Sequence, residues 1–200
     1  MTVRTSMSDL IATLRGFTSA GTADFSDAQM QTILDRYKTD LNNVQIYPDP
    51  QYNSSGVVEY KVYTTPAKFL ESTDGGTARF LVTDGLGSAL GTSLWSADYE
   101  NGIVTFVSDQ GGLNRCIMGH SFDVYAAAAD IWSQKAAAYA TLIDFSTDNH
   151  SVKRSHIIKA CQDMADKYQK MATSGGSSSV DAVRGDSNPS SGSEHGGRDD

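Results

Sequence analysis

Residues 121–143 read SFDVYAAAADIWSQKAAAYATLI, and the reading of this stretch decides the fold. Alanine is the strongest helix former, and neither Gly nor Pro interrupts the run. Tyr125, Ala129, Trp132, Ala136, Tyr139 and Ile143 follow at spacings of 4, 3, 4, 3 and 4. That is a heptad seam alternating aromatic and small residues. A second helix can approach closely over the alanines while the rings pack beside it. Ser121 stands where an N-cap belongs. A helix of about 23 residues is roughly 34 Å long at 1.5 Å per residue.

The partner for this seam lies downstream. In 151–172, Ile157, Cys161, Met164, Tyr168 and Met171 repeat the same spacing. With a turn over 144–150, the two stretches predict an antiparallel αα-hairpin. Upstream, Leu10, Ile11 and Leu14 share a face of a first helix over 8–16, ended by Gly16 or Gly21. Ser26 and Gln29 form an S-x-x-Q capping box, with Phe25 and Met30 at the staple positions. Met30, Ile33, Leu34, Tyr37 and Leu41 continue as an apolar stripe, which predicts a second helix over 26–42 stopped by Asn42-Asn43.

Between these helical pairs the texture changes. Residues 44–119 hold ten of the 18 glycines and three of the four prolines. Val57 to Tyr63 alternates in part, Phe80-Leu-Val-Thr runs into Asp84-Gly85, and Gly102-Ile-Val-Thr-Phe-Val ends at Ser108-Asp109. Each reads as a short antiparallel strand closed by a turn. Thr65-Pro66 reads as the start of a single helical turn. Past residue 172 the composition collapses: 14 of 28 residues are Gly or Ser and none is aromatic. Such a segment is expected to be disordered on its own. The expected fold is therefore mainly α: a four-helix-bundle-like core over 1–172, a small antiparallel β insertion over 44–119 between the second and third helices, and an extended C-terminal tail over 173–200.

Charge and composition exclude several classes. The chain carries a net charge of −8, with 39% hydrophobic and 20% charged residues. The excess acid sits in 44–119, with eight carboxylates against four bases, and in the tail, with five against two. That is not the footprint of a sequence-reading nucleic-acid binder. No apolar run reaches the roughly 18 residues a membrane span needs. The first ten residues are polar and lack the apolar core of a signal peptide. Cys116 and Cys161 read as thiols in a reducing compartment rather than a disulfide framework.

Motifs for chemistry are weak throughout. Gly85-Leu-Gly87-Ser-Ala-Leu-Gly91 has three residues between its later glycines where a dinucleotide loop has two. His120, His150, His156 and His195 are scattered, and no cysteine stands in a metal-spaced pair. No nucleophile-elbow sequence is present. The loop carboxylates Asp74, Asp84, Asp98 and Asp109 lack EF-hand spacing. The reading is a chain without enzymatic activity and without a cofactor or metal. The ring-bearing seam serves as intrachain core or as a subunit interface. Lys153 and Arg154 open the last helix, where the macrodipole disfavours cations by a few tenths of a kcal/mol. They either pair with Asp144 or Asp148 or offer a positive spot to an acidic partner.

Three stretches carry a resemblance. They are Phe122-Asp-Val-Tyr-Ala-Ala-Ala-Ala-Asp-Ile-Trp, then Ala136-Ala-Ala-Tyr-Ala-Thr-Leu-Ile-Asp-Phe-Ser-Thr-Asp, then Ser151-Val-Lys-Arg-Ser with the seam to Tyr168. Over about residues 8–172 the chain resembles the head-tail connector adaptors of tailed bacteriophages. The resemblance implies a virion neck protein assembled in the host cytoplasm. It implies a ring, usually of twelve copies, between the portal and a tail-side neck or stopper protein, with DNA only as passing cargo. A tail-completion or stopper module of the same neck is the nearest alternative, and a small ligand-binding or hydrolase domain a more distant one. In the adaptor reading Asp74, Asp84, Asp98 and Asp109 line the channel or the distal face. The tail docks on the portal through Val180, Ala182 and Val183, with Arg184, Arg198, Lys153 and Arg154 as charge partners.

Overall fold

The computed structural model of the chain describes residues 2–72, 79–140, 145–147, 150–152 and 154–175. Two helices open it, α1 (Ser8–Thr18) and α2 (Asp27–Arg36). Four strands of different lengths and a turn-rich segment follow: β1 (Lys38–Tyr52), β2 (Val58–Thr64), β3 (Leu81–Asp84) and β4 (Trp95–Asp98). Then come β5 (Ile103–Phe106), β6 (Arg115–Phe122), α3 (Val124–Ala140), a small hairpin of β7 (Phe145–Thr147) and β8 (His150–Val152), and α4 (Arg154–Gly175).

The expectation of a mainly α bundle with a small β insertion is overturned. Strands β1 to β6 form one antiparallel sheet in the order β3-β6-β1-β2-β5-β4. This sheet curls into a half-barrel, and 29% of the described residues are strand against 41% helical. The sheet is a module equal in weight to the helices, with its own core of Leu41, Ile46, Tyr63, Leu70, Phe80, Val82, Trp95, Val104, Phe106 and Ile117. A separate helical core gathers Met7, Leu10, Leu14, Met30, Leu34, Ile131 and three alanines of α3, Ala127, Ala128 and Ala129.

The boundary errors have one physical cause. Residues four apart share a face in a helix and in a strand alike. The step from Tyr37 to Leu41 therefore looked helical, yet α2 ends at Arg36. Tyr37 leaves helical geometry at φ −110°, ψ 27°, and its N–H reaches only back to the Leu34 carbonyl. Lys38, Thr39 and Asp40 instead pair with Phe122, Ser121 and His120. Asn42-Asn43 is no helix stop. The β1–β6 register shifts between Leu41 and Val44, and Asn43 takes a left-handed φ of 52°. This bulge bends β1, so that its first half pairs with β6 and its second with β2.

The same competition shortens α3. Ser121 and Phe122 are the last residues of β6, and Asp123 caps the helix by accepting the Ala126 N–H at 2.9 Å. Residues 141–143, expected to continue it, lie outside the described residues. The expected start of α4 at 151 is taken by β8, and the helix runs three residues into the expected tail, to Gly175. In α1, Gly16 is helical, and the left-handed Ser19 (φ 47°) ends it. Thr65-Pro66 opens no helix. The Thr65 N–H donates to the Gly102 carbonyl at 2.8 Å, and its hydroxyl donates to the Ala67 carbonyl.

Other expectations stand. The Ser26/Gln29 capping box is formed in both directions. β2, β3 and β5 lie on the three predicted strands. Along α4, Cys161, Tyr168 and Ala172 are buried, and Met164 and Met171 pack on the helical core. Tyr125, near the start of α3, stacks on Tyr168, late in α4, so the two helices run antiparallel. Both Cys116 and Cys161 are buried free thiols.

Candidate functional site

The densest polar constellation lies where the two modules meet. Glu71 follows β2 in the chain and is pinned beside β6, its N–H donating to the His120 carbonyl at 2.9 Å. Its side chain is 1% exposed. One carboxylate oxygen accepts the Ser6 hydroxyl at 2.7 Å and the Arg4 Nε–H at 3.0 Å. The other lies 2.8 Å from His120 Nδ1. Arg4 forks onward to both oxygens of Asp35, at 2.6 and 3.2 Å, and its N–H reaches the Gln31 side chain. His120 Nε2 lies 3.4 Å from Asp40. The cluster thus ties the N-terminal turn, α2, the segment after β2, β1 and β6 into one clasp.

Burial alone would raise the Glu71 pKa. The Ser6 and His120 hydrogen bonds and the charge of Arg4 outweigh it, so the carboxyl is held below its ordinary range. A buried charge is tolerable only when partnered in this way. The order of groups decides the chemistry. A hydrolytic triad puts the imidazole between hydroxyl and carboxylate. Here the carboxylate stands between Ser6 and His120, so no imidazole faces the hydroxyl, and the cluster ties segments of the chain together. Its members are far apart in sequence, and no motif spacing signalled them.

The seam on α3 is placed mostly inside the chain. Ala129 and Ala136 are buried. Tyr125 stacks on Phe17 at 5.4 Å and meets Phe69 edge-on at 5.5 Å. Trp132 packs against the helical core, half-buried, and its Nε1–H donates to the Phe17 carbonyl at 3.2 Å. Lys135 stands 4.7 Å over its ring and donates to the Thr18 carbonyl at 2.7 Å. Tyr139, by contrast, is exposed, as are its neighbours from Ala137 to Ala140.

The loop carboxylates do not converge. Asp84 accepts the N–H groups of Ser88 and Leu86 at 2.8 and 2.9 Å, and these bonds lower its pKa. Asp98 is lowered by the Asn101 side chain, bonded at 2.8 Å, and by the Asn101 N–H. Asp109 accepts from the N–H groups of Tyr60 (2.7 Å) and Gly111 (3.0 Å), with the same effect. Asp84 and Asp98 each close their own turn, and Asp109 also ties its turn to β2 through Tyr60. Asp84 and Asp109 sit at the sheet end far from the helices, Asp98 at the end beside α1. Asp74, Lys153, Val180, Ala182, Val183, Arg184 and Arg198 lie outside the described residues, and Arg154 is the first residue of α4. Among the described residues no three His, Cys, Asp or Glu side chains are grouped to hold a metal ion. No described helix is long and apolar enough to cross a membrane. Neither a protein-family model, nor a curated protein, nor a solved structure matches the chain.

Proposed function

We propose that the chain is a structural virion protein, a ring-forming head-to-tail connector adaptor that docks on the portal and extends the DNA channel toward the tail. One observation carries the reading. The segment Phe122 to Trp132, which carries the resemblance, is the joint of the molecule. Phe122 ends β6 inside the helical core, Asp123 caps α3, and Ala127 and Ala128 are fully buried beneath it. The residues that resemble the adaptor family thus do the architectural work that joins a helical hairpin to a β module. The acid excess of 44–119 supports a place for the sheet at the lumen or the tail-side face, since a channel must pass DNA without binding its phosphates.

The test is assembly on the cognate portal. Purified chain mixed with portal is expected to form a ring complex visible by electron microscopy. Deletion of residues 173–200 is expected to leave the melting temperature unchanged and weaken portal binding. A chain that ignores portal and binds tail-tube ends is a tail-completion protein instead. A ring in which the sheet lies wholly on the outer rim overturns the lumen placement.

A further inference from the structure

The strand directions give the half-barrel two unlike ends. β1 starts at Lys38 beside Phe122, next to the helices, and finishes at Tyr52 on the far side. β3 ends and β6 begins at that far end, where Asp84 pairs with Arg115. β4 also begins there, Trp95 against Phe106. Six large apolar side chains at this end are 50% to 94% exposed: Tyr52, Val57, Leu86, Leu94, Val107 and Leu113. Among the described residues, the helices expose only Tyr139 in this way.

The six fall into three pairs. Val107 donates its N–H to the Leu94 carbonyl at 3.0 Å, and Asn53 bridges Tyr52 to the Val57 carbonyl at 2.9 Å. Gly85, beside Leu86, abuts Asn114, beside Leu113. Single exposed apolar residues are ordinary, whereas several pairs gathered at one end of a module mark an interaction surface.

Its border is acidic. Asp49, Asp84 and Asp109 stand around it. Two cations offset part of this charge, Lys61 beside Glu59 at 2.6 Å and near Asp109, and Arg115 near Asp84, and they leave the four carboxylates Asp49, Glu59, Asp84 and Asp109 in excess. Strand addition is also discouraged. β1 has its last β6 partner at Ile46, and Pro48 and Pro50 carry no N–H to offer along the edge beyond it. A partner meeting this stretch of β1 therefore docks on side chains.

We infer that the far end of the half-barrel is a docking surface for a second protein, one presenting an apolar centre bordered by lysine or arginine. Nucleic acid and anionic lipid are repelled by the carboxylate border. A second copy meeting it face to face sets acid against acid. This inference does not rest on the portal-docking reading.

The test uses the full chain and an amphipathic helical peptide with leucines on one face and lysines on the other, followed by amide NMR shifts. The shifts are expected to gather at Leu86, Leu94, Val107 and Leu113 and to weaken at high salt. The double variant Leu86→Ser, Val107→Ser should keep its melting temperature, because both side chains are exposed, and bind about tenfold more weakly. The same peptide with glutamate for lysine should not bind. Shifts spread over the helices, or equal binding by the double variant, overturn the proposal. Two further results also overturn it: self-association of the chain that the double variant abolishes, and binding to phosphatidylserine vesicles through these residues.

Discussion

The helical module and the half-barrel solve the same burial problem with different materials. The helices close on small residues: Ala127, Ala128 and Ala129 on α3 let Leu14, Met30 and Leu34 reach the axis, and rings from Phe17, Tyr125 and Tyr168 seal the margin. The half-barrel fills a wider space with rings in edge contact, Tyr63 on Phe106 at 5.2 Å and Phe80 on Trp95 and Tyr99 at 5.7 and 5.4 Å. Their surfaces differ too. Among the described residues the helices expose one large apolar side chain, Tyr139, while the β module exposes eight, Tyr47 and Met118 besides the six at its far end. The helical module is closed upon itself, and the β module is closed only at the end that meets the helices.

The largest expected effect tests whether two cores make one folding unit. Phe80 is fully buried between two rings, so Phe80→Ala should cost roughly 3–5 kcal/mol. Calorimetry should still show one transition, because the clasp and the Phe69–Tyr125 contact join the cores. Two transitions, with the helical one unmoved, would make the modules independent.

Next comes the clasp itself. Glu71→Gln removes the charge that Arg4 and His120 face and should cost about 3 kcal/mol. The folded carboxyl titrates below its ordinary value of 4.5. Its stabilisation is therefore full at neutral pH and is lost as pH falls through the folded pKa. The wild-type chain should lose stability along that acid limb, and the variant should lose less. Equal acid slopes in denaturant titrations would remove Glu71 from the account.

Trp132→Ala should cost about 2 kcal/mol, less than the roughly 3–5 kcal/mol of a fully buried ring, because its indole is only partly covered. A melting temperature that stays put while ring assembly fails would make Trp132 an interface residue. The smallest effect belongs to Ser26→Ala, which opens the capping box of α2 and should cost about 1 kcal/mol. A larger loss would mean that the start of α2 also positions Asp35 in the clasp.

Taken alone, the sequence determined what a few adjacent turns can decide. The capping box at Ser26, the seam from Tyr125 to Ala136 and its partner on α4 are patterns written within single helices. The turn closed by Asp84 is local too, whereas the Asp109 turn is fastened to Tyr60 in β2. Only the tertiary structure decided where the sheet begins and ends. Lys38 to Leu41 satisfies a helical spacing and a strand spacing equally, and the choice falls to Phe122 and its neighbours at the other end of the module. β1 holds two prolines and two adjacent asparagines, which argue against a strand until β2 and β6 supply its partners. β6 carries Gly119 because a Cβ there would lie 2.8 Å from the Arg79 carbonyl, a constraint set by a neighbouring segment. Glu71 and His120 stand 49 positions apart. Nothing near either residue announces the other, because the free energy that joins them comes from a buried charge finding its partners after the chain has closed around it.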